Sequence, residues 1–199
     1  LSVPFEQSPE PTACGPTVLK MVLDYFGIKT SIQELSTKSF RQASGITWTI
    51  GLALAVQTYG LHPIFITRSV DCDWTGTEKQ YYENHDYEKG QLSVLFDKVR
   101  VNGIPIKVAN LSLDDLLANV KPNESVPICL INWNTIKNKP GFCGHYVPIV
   151  GYSPTDILVH NCGPDSAKAY FSIPRKDFIS AWESPGTDKD VLLIQRPNS

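Results

Sequence analysis

The sequence predicts an α+β fold, with helices in the first third and an antiparallel sheet after it. Helical apolar spacing runs to about residue 60, then gives way to short β-branched runs between turn residues. Three further helical stretches separate some of those runs. Val3-Pro4-Phe5 reads as extended, because a residue before proline is pushed out of the helical region. Residues 17–26 carry Val18, Leu19, Val22, Tyr25 and Phe26 on one helical stripe, with Pro16 in the first turn and Gly27 as a left-handed stop. Ser31-Ile32-Gln33-Glu34 is a capping box that opens a second helix. A third helix covers 49–59 and ends at Gly60.

Strands are expected at 63–67, 104–108, 126–132, 146–152, 156–160 and 191–196. Helices at 91–99, 112–120 and 175–182 lie between them, with Asp114-Asp115 favouring the start of the second electrostatically. The span 71–90 is polar and aromatic (Trp74, Tyr81, Tyr82, Tyr87) with weak periodicity, and reads as a long surface excursion.

The chain has 199 residues, which suits a single domain over 1–199. Hydrophobic residues make up 42% and charged ones 19%, a balance that excludes global disorder. With 18 basic against 20 acidic side chains, a nucleic-acid binder working through a broad basic face is not expected. The longest weakly polar stretch, 50–56, is far short of the ~20 residues of a spanning helix. The five cysteines contain no CxxC pair, so a zinc ribbon has no support, and their sparse use fits a reducing compartment. A cytoplasmic location is the expectation, with no cofactor and no metal.

Chemistry concentrates at three positions. Cys14 precedes an apolar-striped helix, where the dipole and unpaired N–H groups favour a thiolate. Its own amide can help bind an oxyanion, and Gln7, seven residues upstream, is a second donor. Taken alone, Cys14 reads equally well as a buried cysteine at a helix start. His145 opens an apolar strand 131 residues later, which places an imidazole rigidly opposite the thiol. Asn161 follows after 16 residues, a separation that suits a hairpin returning to the same sheet edge, where it can orient the His145 ring. Trp133 and Gly144 are the candidates for substrate contact, although Trp133 can equally anchor the loop before His145.

Blander readings hold elsewhere. Cys129 is a core thiol, and His62 and His160 are strand-end or surface residues. Cys72 with His85 supplies too few ligands for a metal site. Cys143 and Cys162 flank the catalytic candidates, where a regulatory disulfide between them is conceivable.

The run Val3-Pro4, Gln7, Cys14-Gly15-Pro16, Leu19, Met21-Val22-Leu23, Tyr25 and Gly27 resembles the nucleophile region of the C39-like, papain-fold cysteine peptidases. Gly144-His145-Tyr146-Val147 with Gly151-Tyr152 resembles their histidine strand. The tail from Gly186 to Leu192 is similar to a related family named guanylyl cyclase-like. The 131-residue separation falls inside the roughly 130–150 usual for papain-like enzymes. The resemblance implies a papain-like fold with Cys14 as nucleophile, His145 as general base, Asn161 as orienting residue and Gln7 in the oxyanion hole. Ala13 departs from the Asp that many members carry there, and Asn161-Cys162 departs from Asp-Pro.

Three activities follow as expectations. The first is a thiol hydrolase or acyl transferase acting on an amide bond of a peptide or acyl-bearing small molecule. The second is nucleotide cyclisation, implied by the tail alone, with no phosphate loop in the chain and Asp188 and Asp190 read as solvating a turn. The third is a non-catalytic binding module on a peptidase fold.

Overall fold

The N-terminal helical pattern folds as three helices, α1 (Cys14–Tyr25), α2 (Ile32–Lys38) and α3 (Thr49–Gln57). The computed structural model describes residues 1–71, 74–85, 89–163 and 166–197. Helix α1 stops where expected. Gly27 sits at φ 84°, and the N–H groups of Gly27 and Ile28 bond back to the carbonyls of Asp24 and Leu23. Ser31 accepts from the Glu34 N–H at 3.1 Å and starts α2. The remaining elements are β1 (His62–Thr67), α4 (Thr77–Asn84), α5 (Lys89–Val101), β2 (Ile106–Val108), α6 (Leu113–Leu117), β3 (Ser125–Asn132), α7 (Trp133–Ile136), β4 (Gly144–Tyr152), β5 (Asp156–Asn161), β6 (Lys168–Pro174), α8 (Arg175–Trp182) and β7 (Val191–Gln195).

The strands form one seven-stranded sheet in the order β2-β1-β7-β3-β4-β5-β6. All pairs are antiparallel except β1 with β2, which run parallel. The exception has a physical reason: α4 and α5 lie between those strands and return the chain in the same direction. Alternation along the strands builds two cores. Val126, Ile128 and Leu130 of β3 and Tyr146 of β4 join α1 and α3 on one face. Cys129 and Ile131, with Val147 and Ile149, meet Phe178 and Trp182 of α8 on the other.

Three elements depart from the sequence expectation. The span 71–90 carries α4, whose Tyr82 is 5% exposed and stacks on Trp74 and Trp48 at ring distances of 4.1 and 5.4 Å. It therefore packs on the body of the protein instead of leaving it. Strand β6 and the four-residue helix α7 had no clear apolar signature. Cys72 and Tyr87 lie outside the described residues.

Helices α2 and α3 meet with almost no clearance. A Cβ at Gly51 would lie 2.2 Å from the Ser39 carbonyl oxygen, a backbone atom that cannot step aside cheaply. Gly51→Ala is expected to lower stability by roughly 1–3 kcal/mol, as overpacking does, with no effect on cysteine chemistry. A urea midpoint equal to wild type would refute this.

The sheet opens where the site lies. Strand β4 pairs with β5 only over Ile149–Tyr152, with a register shift between Ile149 and Gly151. The first residues of β4, His145 among them, thus face the end of β5 across a gap without ladder bonds.

Candidate active site

Cys14 begins α1 and is 9% exposed. Ala13 at the N-cap has no side-chain acceptor, and Pro16 has no N–H. The N–H groups of Cys14 and Gly15 therefore remain free to bond the thiol, and the Tyr146 N–H from the gap in β4 reaches it too. All three favour the thiolate. Burial outweighs them and raises the thiol above its usual value of 9.0. The helix terminus alone thus fails to ionise Cys14 in the resting protein, contrary to the expectation from its position.

His145 is 4% exposed, and its Nε2 lies 3.0 Å from Asn161 Oδ1. The Asn161 amide is oriented by its other partners: Nδ2 donates to the Ser166 carbonyl at 2.9 Å, and Oδ1 accepts from the Gly163 N–H at 3.1 Å. Because Oδ1 can only accept, Nε2 carries the ring proton and Nδ1 keeps the lone pair. Burial is the main influence on the ring and lowers its pKa to about 4, while the bond to Asn161 opposes that shift. Trp133 packs at 5.0 Å from the imidazole, 7% exposed, and so approaches it from the α8 face. Cys14 belongs to the core on the α1 face. Among the described residues no hydrogen bond joins Cys14 to His145.

The structure brings Cys14, His145 and Asn161 to one end of the sheet. Gln7 lies just before Ser8, whose N–H bonds the Cys162 carbonyl at 2.8 Å, but its side chain is exposed and touches no hydrogen-bond partner among the described residues. Gly144 lines a cleft beside Cys14; Trp133 does not. No disulfide joins Cys143 and Cys162 here. Cys129 is fully buried in the second core, as read from its strand. His62 is exposed, whereas His160 is completely buried at the end of β5.

The cleft shows what the sequence reading missed. Its walls include Thr47, Trp48, Tyr81, Tyr82, His85 and Tyr146, of which Tyr81, Tyr82 and His85 come from the span read as an excursion. Thr47 Oγ1 is buried with no hydrogen-bond partner among the described residues. Behind the cleft, Tyr146 Oη donates to the Thr47 carbonyl at 3.0 Å and lies 3.0 Å from Thr49 Oγ1, which in turn donates to Asp190 at 2.6 Å. Asp188 accepts from the Trp74 indole N–H at 3.3 Å. Both aspartates are thus tied into side-chain networks instead of solvating a turn. Among the described residues no group of three His, Cys, Asp or Glu side chains could hold a metal, and no helix is long and apolar enough to cross a membrane.

Solved structures share this fold. The chain superposes on the peptidase domain of Streptococcus ComA, a bi-functional ABC transporter, with a TM-score of 0.56 at 15% identity, covering 98% of this chain and 99% of that one. A protein described as a C39-like peptidase from Bacillus anthracis gives 0.61 at 14% identity over 100% and 96%. A double-glycine motif protease from an AMS/PCAT transporter gives 0.53 at 14% identity over 98% and 93%. The fold is therefore the papain-like α+β fold of C39 peptidase domains. By sequence, the chain is 23% identical over 201 residues to guanylyl cyclase 1 of Arabidopsis thaliana, covering 93% of this chain and 72% of that protein. A family model described as guanylylate cyclase matches residues 6–194, and the chain belongs to that family.

Proposed function

We propose that the protein is a thiol hydrolase or acyl transferase that cleaves an amide bond of a peptide or acyl-bearing substrate. The observation that carries this reading is the His145–Asn161 bond, which leaves Nδ1 as the basic nitrogen on the residue next to the N–H that touches the Cys14 thiol. In the proposed cycle His145 Nδ1 takes the Cys14 proton as sulfur attacks the carbonyl carbon. The Cys14 amide and Gln7 receive the oxyanion. The tetrahedral intermediate collapses, the C–N bond breaks, and His145 returns the proton to the leaving amine. Water or an acceptor amine, deprotonated by the same nitrogen, then releases the acyl group. The aromatic walls of the cleft suit an uncharged, apolar group beside the scissile carbonyl.

The test is a screen of peptide and acyl libraries with intact-mass detection on wild type and Cys14→Ala. An acyl adduct mapped to Cys14, absent in the variant, supports the reading. The names of the family and of its plant relative favour nucleotide cyclisation as a second reading. GTP turnover with Mg²⁺ or Mn²⁺ that survives Cys14→Ala, without any adduct, would replace the first reading by the second.

Within the proposed site, the third member can be probed separately. Asn161→Asp places a carboxylate on His145 Nε2 and stabilises the imidazolium, so the ring should titrate above about 4. The acid limb of Cys14 acylation is expected to move to higher pH by roughly one unit or more. An unmoved limb would show that Asn161 does not govern the ring.

A further inference from the structure

His160, which the proposed cycle does not use, is fully buried one residue before Asn161. Its Nδ1 accepts from the Tyr170 N–H at 3.0 Å, so its Nε2 carries the proton and donates to the Val3 carbonyl at 2.8 Å. The ring that makes these bonds is clamped between Phe5 and Tyr170, edge-on at 5.6 and 4.8 Å. Tyr170 pays a conformational cost for its part, at φ 50° in a shifted register between β5 and β6. Positive φ in a bulky residue persists only where the surroundings impose it, and such bulges gather beside functional sites.

The segment held this way carries Gln7. Val3 is tied to His160, and Ser8 is tied through its N–H to the Cys162 carbonyl, so the two ends of the segment are fixed to the residues on either side of Asn161. Only four residues lie between these ties, too few to wander. We propose that His160 is a positioning residue that straps the N-terminal segment to β5 and so sets Gln7 at the oxyanion side of Cys14. This role rests on the acyl-transfer reading of the site.

The strap predicts a specific pattern among variants. His160→Gln keeps an N–H donor at the Nε2 position for Val3, whereas His160→Asn reaches only the Nδ1 position, toward Tyr170. Two reagents separate positioning from general damage. p-Nitrophenyl acetate acylates Cys14 through a tetrahedral oxyanion; iodoacetamide alkylates it by displacement, with no oxyanion. His160→Asn is expected to slow acylation by about 10²-fold, the scale of losing one oxyanion donor, while alkylation stays at the wild-type rate. Gln7→Ala should lose the same factor, and the double variant should be no worse than either single one. His160→Gln should recover most of the acylation rate. Amide exchange across residues 3–8 should accelerate in His160→Asn and not in His160→Gln. Losses that multiply in the double variant, or alkylation that falls in step with acylation, would overturn the strap. A wild-type protein that is alkylated but never acylated would instead overturn the acyl-transfer reading beneath it.

Discussion

Replacing His145 with alanine is expected to slow acylation of Cys14 by roughly 10²–10⁴-fold, the usual contribution of a positioned general base. The pair has an unusual starting point. Burial raises the thiol and lowers the imidazole to about 4, so both groups rest neutral at pH 7. Proton transfer from sulfur to nitrogen is then uphill before attack, and a stored thiolate–imidazolium pair is not expected. In the proposed cycle the proton therefore moves as the carbon–sulfur bond forms, so His145 would be needed for acylation while the resting thiol stays sluggish. Two consequences can be measured. Iodoacetamide should label Cys14 slowly through neutral pH and accelerate only on the alkaline side, because it draws on the small thiolate fraction. Acylation should instead keep its base down to an acid limb near pH 4, where the ring protonates. Acylation that is equally fast in His145→Ala would remove His145 from the mechanism. Fast alkylation at pH 5–6 that depends on His145 would show an ion pair already formed, contrary to the burial of both groups.

The catalytic candidates were legible because each marks a local transition. Cys14 stands where an apolar stripe begins and Pro16 follows, His145 where an apolar strand opens, and Asn161 where the next strand ends. Those are sequence events, and the helix and strands fall within a few residues of their expected limits. The cleft was illegible for the opposite reason. Helix α4 has no apolar stripe: its buried side chains are Glu78 and Tyr82, and Glu78 turns back to accept the N–H groups of Thr75 and Gly76. Strand β6 exposes most of its residues at the sheet edge, so alternation leaves only a faint trace there. The thiol pKa was misjudged because a helix terminus is visible in sequence and the burial around it is not. Asp190 hides in the same way. Its tie to Thr49 spans 141 residues, a separation no local pattern reports.

Between about pH 4 and 6.5 two buried groups, His145 and Asp190, should pull folding stability in opposite directions. His145 falls from its usual 6.5 to about 4. Across that window the unfolded ring binds a proton that the folded ring refuses, so its contribution is full above pH 6.5 and is lost as pH falls toward 4. Asp190 moves the other way, raised by burial from 3.8 to about 7 against the opposing bonds from Thr49 and Thr67. Here the folded carboxyl keeps a proton that the unfolded one releases, and stability falls as pH rises from about 3.8 to 7. Each proton is worth about 1.4 kcal/mol per pH unit, so each group contributes on the order of 3–4 kcal/mol over its window, with opposite sign. Single variants should uncover the two slopes. Asp190→Asn stays neutral and can still accept from Thr49; its stability relative to wild type should climb with pH from about 4 to 7. His145→Gln should decline relative to wild type between about 4 and 6.5. Urea unfolding at half-unit steps reads both curves, and profiles parallel to wild type for either variant would show that the group does not titrate as its burial requires. The opposition also bears on function. The neutral imidazole of the proposed site makes the fold more acid-sensitive, and the buried carboxyl behind Tyr146 acts against that sensitivity from the far side of the same network.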